Sequence, residues 1–370
     1  MSLMEKNASG ELSAGERLVR CLLGEPVDRV PFGAGIGWWP WGSATERWRR
    51  ETGNPDLNIK QHFGFDESFR SMQAEYGVFP HYEEEVLDED ETSVTRRTKY
   101  GVVKRDIKGS TSMAEWLDYP VHSPDEWEQL KRERLDPGTD GRVTVDWDEW
   151  KRLDEEGAAI QVGQFPFGVF GTVRDLIGVE EMMLWCYDHP EVMHDMMGTL
   201  TTLWLSVYET IAEQVQIDHI HIWEDMSGKQ GSLISPAMIE EFMMPCYDRI
   251  ASFAKEKGVR IVSVDSDGRC DELVRVMTAH GINMFFPFEV QAGNDIREFR
   301  KEYPELGIMG GLDKNALALD RAAIDKEVEK ARWMVGQGRY IPGFDHLLPD
   351  NIPWENMEYA AEQLREVCFP

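Results

Sequence analysis

Ile261-Val-Ser-Val-Asp-Ser-Asp-Gly268 reads as a buried strand that ends in two carboxylates and a glycine. Side chains alternate across a strand, so Val262 and Val264 share one side and Ser263, Asp265 and Asp267 the other. In a barrel strand, one side packs on helices and the other faces the interior or the mouth. Two acids at i and i+2 on the mouth side are costly to desolvate unless a cation sits against them. A metal, an arginine or a substrate would meet that need.

Outward from this strand the pattern repeats. Short apolar runs at 159–164, 217–225, 260–267, 282–289, 306–311 and 339–345 alternate with amphipathic stretches at 190–214, 236–257, 270–280, 295–303 and 321–336. Strands spaced by helices of this length pair in parallel through crossovers, and the count predicts an α/β protein with a (β/α)8 TIM barrel. Ser235-Pro236 is an N-cap with proline in the first turn, and Pro245 predicts a kink further along the same helix.

The N-terminal half has a different texture. Residues 14–23 form a helical extension leading into Gly24-Glu-Pro-Val-Asp-Arg-Val-Pro31, a loop that delivers the first strand. In Phe32-Gly-Ala-Gly-Ile-Gly-Trp-Trp-Pro-Trp41 the glycines let a backbone approach a ligand, and Trp38, Trp39 and Trp41 offer flat apolar walls for a substrate. Alternation around Gly101 predicts an antiparallel hairpin or small sheet inserted at about 83–120. Ser123-Pro-Asp-Glu126 is a capping box that opens a helix running to about 135. The expected organisation is one barrel domain over 1–370 carrying this insert.

Composition narrows the function. The 370 residues include 39 Lys and Arg against 68 Asp and Glu, a net charge of −29, which argues against nucleic acid and anionic membranes as partners. The five cysteines are scattered and form no C-x-x-C pair, so neither a disulfide framework nor a thiolate metal cage is expected. With no apolar signal core near Met1 and no run approaching about 18 apolar residues, the expected location is cytoplasmic.

Barrel chemistry sits at the C-terminal ends of the strands. Those ends carry Gln164, Glu224 and Asp225, Asp265 and Asp267, Glu289, Asp313 and Lys314, and Asp345 and His346. Glu224 or Asp225 would act as a general acid or base once neighbours raise its pKa. His219 and His221 share the parity of Asp225 and point inward, where a histidine is more often a core residue than a ligand. Cys270 lies near a helix N-terminus, a setting that lowers a thiol pKa.

Several pieces, in order along the chain, carry a family likeness: Gly24 to Pro31, Trp223-Glu-Asp-Met-Ser-Gly228 leading to Ile234-Ser-Pro236, and Asp265-Ser-Asp-Gly268. Gly310-Gly-Leu-Asp-Lys314 follows, then Asp345-His346 and Ile352-Pro-Trp-Glu-Asn356. From about 14 to 367 the chain resembles the uroporphyrinogen decarboxylase superfamily, which also contains methyltransferases serving corrinoid proteins and coenzyme M. The resemblance implies a (β/α)8 barrel and a homodimer. True decarboxylases carry an Arg-rich stretch after the first strand to hold propionates, whereas 32–41 here has no basic residue before Arg47. His346 stands where they have the histidine of a Gly-His-Gly loop. The methyltransferase branch binds zinc through His-x-Cys and a later cysteine. Those places fall on Asp265, Asp267 and the neighbourhood of His346.

The resemblance thus implies a divalent metal on Asp265, Asp267 and His346, zinc first and iron or manganese otherwise. The function expected is removal of a methyl group from a small O- or N-methylated substrate and its transfer to a separate corrinoid protein. Asp225, Glu224, Glu289 and His346 would be catalytic. Trp38, Trp39, Trp41, Gln164, Asp313, Lys314 and Asp345 would bind substrate. The alternatives are a cofactor-free decarboxylase of uroporphyrinogen type and a non-catalytic barrel that binds a small molecule.

Overall fold

Short β-branched and aromatic runs, each followed by a helix, pair in chain order. The computed structural model describes residues 11–109 and 114–369. Seven parallel strands form one sheet in the order Arg70–Ser71, Ile160–Val162, His219–Trp223, Ile261–Asp265, Met284–Phe286, Gly307–Met309 and Tyr340–Ile341. Asp265 stands in register with Trp223 on one side and Phe286 on the other. The α/β class is the one expected, and the sheet is curled and parallel, with seven ladder strands among the described residues where a (β/α)8 barrel has eight.

The place expected for a further strand is taken by irregular backbone. Phe32 accepts a hydrogen bond from the Asp66 amide, ahead of the first strand, at 2.8 Å. A Cβ on Gly37 would lie 2.0 Å from the Phe344 carbonyl, beyond the last strand. Segment 32–41 therefore lies against both flanks of the sheet. Its glycines and flanking prolines prevent a regular ladder.

Every strand is shorter than its apolar run. The backbone turns out of the β region soon after each strand, as at Gly163 (φ 72°) and Asp225 (φ 42°). A Cβ at Gly163 would lie 2.1 Å from the His221 carbonyl, so only glycine fits there. The helices agree with expectation to within a few residues, for example Pro190–Ala212 and Arg321–Gln337. The kink expected at Pro245 takes the form of a π-helical turn over Ile239–Met243, immediately before the helix Met244–Lys257.

Two apolar clusters hold the layers together. The larger places Ile220, Ile222, Val262 and Val264 against the surrounding helices. The smaller joins Ile261, Met284, Met309 and Ile341 to Leu18, Val19 and Leu22 of the helix Ala14–Leu22. Gly15 and Leu22 of that helix approach Ala159 and Gly307 at strand starts, so it packs on the end of the sheet opposite the mouth. The insert is a four-stranded antiparallel sheet: Glu85–Glu89, Ser93–Arg97, Val103–Ile107 and Glu115–Asp118. Ser123 caps the next helix, Pro124–Arg134, through the Glu126 amide. All five cysteines are free and buried. Among the described residues, no helix is long and apolar enough to cross a membrane.

Candidate active site

Asp265 closes its strand, and its carbonyl accepts from the amides of Glu224 (2.9 Å) and Asp225 (3.3 Å). That pairing fixes the turn after the neighbouring strand and holds Asp225 in the left-handed region. Such a conformation costs a non-glycine residue about 1–3 kcal/mol and persists only where neighbours impose it. Arg174 completes the clamp. Its Nη1 donates to the Asp225 carbonyl at 2.7 Å and lies 3.7 Å from the carboxylate.

The other strand-end acids find weaker partners. Asp267 Oδ2 lies 3.4 Å from His346 Nε2, and Asp265 Oδ2 lies 3.9 Å from His221 Nε2. Glu289 accepts from the Gly268 amide at 3.0 Å. Lys314 Nζ sits 3.7 Å from Glu289 and 3.6 Å from Asp345. Burial raises the pKa of Asp265 well above the carboxylate range, and the charges of Asp267 and Asp225 push it further. Burial also raises Asp225, with Asp267 adding to the effect and Arg174 opposing it. Burial lowers the His346 imidazole, but its hydrogen bond and charge interaction with Asp267 outweigh that, and the net shift is upward. Among the described residues, the cations that Asp225, Asp265, Asp267, Glu289 and Asp345 face are thus Arg174, Lys314 and, when protonated, His346.

Some expected site residues do other work. Glu224 is fully buried and accepts from the amides of Val169, Phe170 and Gly171 and from the Tyr247 hydroxyl, at 2.6–3.1 Å. It serves the N-terminus of the helix Val169–Ile177, whose N-cap Gly168 has no side chain to do so. A carboxylate with both oxygens engaged in this way is unsuited to proton transfer at the mouth. Trp38 is also a correction: it is fully buried, donates to the Pro342 carbonyl at 2.9 Å and packs on Phe32, Phe65 and Phe344. Trp39 is 54% exposed. The backbones of Trp39 and Trp41 both bond to Leu348, beside the loop of His346. Asp345 is buried and accepts from the amides of Val290 and Lys314. Asp313 accepts from the Asn315 amide and from Gln291. Gln164 keeps a buried Oε1 without a partner. Burial pushes the Cys270 thiol up rather than down, reversing the expectation from its helix position. His219 is a core residue bonded to Ser263 at 2.6 Å, and burial lowers His221 to about 4.

The residues implied for a metal do not converge. Asp267 and His346 face each other, but Asp265 is turned to His221. Among the described residues, no three His, Cys, Asp or Glu side chains form a group that could hold a metal ion. The donors as arranged do not fit one. Arg174 and Asp175 were not anticipated at the site. Their only sequence signal is a charge doublet inside the otherwise apolar Val169–Ile177.

A parallel α/β sheet with titratable groups gathered at its strand ends is the plan of a barrel enzyme. The chain belongs to the uroporphyrinogen decarboxylase (URO-D) family, whose description matches residues 111–367. Among solved structures, a methyltransferase from Methanosarcina mazei superposes with a TM-score of 0.58 at 16% identity, over 96% of this chain and 98% of that one. At that identity the likeness is one of fold. Xylanase B from Clostridium stercorarium F9 matches at 12% identity over 60% of this chain and 82% of that one. Its TM-score of 0.32 is too low to carry an argument. No curated protein matches the sequence.

Proposed function

We propose that this chain is a methyltransferase of the URO-D family that takes a methyl group from a small O- or N-methylated compound and passes it to a separate corrinoid protein. The observation that carries the reading is the charge at the strand ends. Five carboxylates share the site, and each nearby cation already faces one of them. An octa-carboxylate porphyrinogen would meet repulsion there, whereas an uncharged or cationic methyl donor would not. The fold likeness to a methyltransferase over nearly the whole chain supports the same reading.

A corrinoid, when presented by its own protein, supplies the nucleophile that accepts the methyl group. The chain's residues bind and orient the donor and handle its proton. As the bond from the methyl carbon to oxygen or nitrogen breaks, the heteroatom keeps the electron pair and needs a proton. His346, whose Nε2 lies 3.4 Å from Asp267, would deliver it in its protonated form. Asp225, fixed by Arg174, and Glu289, fixed by the Gly268 amide, would orient the donor. No step is assigned to a metal, because the donor trio does not assemble.

The test mixes purified protein with reduced free cobalamin and a panel of methyl ethers and methylamines, and quantifies the demethylated product. His346→Ala is expected to slow the reaction about 10²–10⁴-fold, the usual contribution of a general acid. Zinc, iron and manganese contents are expected to be substoichiometric in wild type and in Asp265→Ala alike. The family match itself favours a second reading, decarboxylation of uroporphyrinogen. Turnover of that compound, with no demethylation anywhere in the panel, would establish it instead.

A further inference from the structure

Between the antiparallel insert and the helix Val169–Ile177 lies a cavity of about 550 Å³. Tyr100, Trp116, Tyr119, Phe165, Phe167 and Trp223 line it, and Asp225 stands in its wall. We propose that this cavity is the substrate site and that it takes a flat aromatic compound, with the methylated oxygen or nitrogen directed toward Asp225. The placement of the methyl group rests on the methyl-transfer reading. The aromatic class does not.

The size lies within the roughly 300–1,000 Å³ typical of small-molecule pockets. The rings are arranged to receive another ring. Phe165 meets Trp223 edge to face at 4.7 Å and 73°, and Trp116 lies nearly parallel to Tyr119 at 6.4 Å and 28°. Edge-to-face and offset-parallel contacts are the favoured aromatic geometries. Phe165 is 64% exposed, a large apolar surface left to water unless a ligand covers it.

The charges select against an acidic ligand. Lys99 lies 3.7 Å from Glu75 and over the Tyr100 ring at 5.0 Å. Lys104 lies 3.4 Å from Asp106. Arg174 is held by Asp175 and Asp225 and lies over Trp223 at 4.9 Å. Each cation in the wall thus already has a carboxylate. Asp225 is the residue that the cavity wall shares with the strand-end cluster. Burial brings Asp175 up to about 7, so this end of the cavity can hold a proton at neutral pH.

Titration calorimetry of the full chain, without corrinoid, tests the site. The probes are 1,2-dimethoxybenzene, its carboxylated counterpart 3,4-dimethoxybenzoate, and tetramethylammonium as a methylated compound with no ring. Dimethoxybenzene is expected to bind. Its affinity should fall about tenfold in Trp116→Ala and in Phe165→Leu, a ring-to-ring contact plus its buried area being worth upward of ~1.4 kcal/mol. The distant Trp333→Ala should match wild type, and thermal melts establish that the variants are folded. The benzoate should bind about tenfold more weakly than dimethoxybenzene, and tetramethylammonium should not displace it. Absence of dimethoxybenzene binding, unchanged affinity in the folded wall variants, tighter binding of the benzoate, or displacement by tetramethylammonium would each overturn the site. Ring binding with no demethylation would overturn the methyl-transfer reading alone. Methyl transfer undisturbed in Trp116→Ala would overturn the site alone.

Discussion

Asp265 is the residue whose environment departs most from its chemistry: a carboxylate at the end of a buried strand, with the neutral His221 beside it and two further carboxylates within range. Its pKa is raised in the folded chain, so its ionisation opposes folding. That penalty is absent at pH values below the ordinary carboxylate range and grows as pH rises through the folded pKa. Asp265→Asn is accordingly expected to stabilise the protein by about 1–3 kcal/mol at neutral pH. The gain should disappear in acid, and differential scanning calorimetry at both pH values measures it. His346 is also raised, which for a base has its own window. The Asp267 pair adds stability below about pH 6.5, the ordinary imidazole value, and this is lost as pH rises through the folded pKa. Asp267→Asn should therefore move the alkaline limb of the pH–rate profile to lower pH. Asp265 and Asp267 were legible as an electrostatic problem from Ile261–Asp265 onward. His346 was placed beside them only by the family resemblance, and His221 as the partner of Asp265 was not foreseen, because strand pairing alone brings the two together.

At the scale of elements, Glu224 illustrates how a strand-end acid can be misplaced by position alone. It follows Trp223 at the end of a strand, as a catalytic residue would, yet it turns to the N-terminus of the helix Val169–Ile177. The signal was present in Gly168, an N-cap with no side chain of its own, but only the fold brings the following Phe170 amide within 2.7 Å of a carboxylate 54 positions later. Glu224→Ala should cost about 3–5 kcal/mol, since it leaves three amides and the Tyr247 hydroxyl buried without their acceptor. Chemical denaturation, read alongside circular dichroism, checks this. The helix Ala14–Leu22 is held by apolar contact instead. Leu18→Ala is expected to cost about 2–5 kcal/mol, the range for emptying a buried leucine site. The crossover helices were readable because their 3.6-residue periodicity is local. Segment 32–41 was not, since its glycines permit close packing against Phe344 in a form that no periodicity announces.

For the whole molecule, the sequence has an excess of acids, 68 Asp and Glu against 39 Lys and Arg. The excess reappears at the strand ends, where Arg174, Lys314 and His346 offset only part of it. That charge balance marks this chain's candidate site. The parallel sheet and the antiparallel insert followed from patterning along the chain. The cavity between them did not, because it is built from Tyr100 and Trp116 on one element and Phe165 and Trp223 on another. On the proposed reading, the strand-end cluster transfers a methyl group with His346 as proton donor. That reading is tested most directly by single-turnover methylation of reduced cobalamin, comparing wild type with folded His346→Gln from pH 6 to 9. Wild type is expected to transfer methyl groups at a rate that falls as pH rises, and His346→Gln to lose about 10²-fold or more at pH 6, a gap that narrows toward pH 9. Equal rates in the two proteins, or an absence of methyl transfer while uroporphyrinogen is decarboxylated, would contradict it.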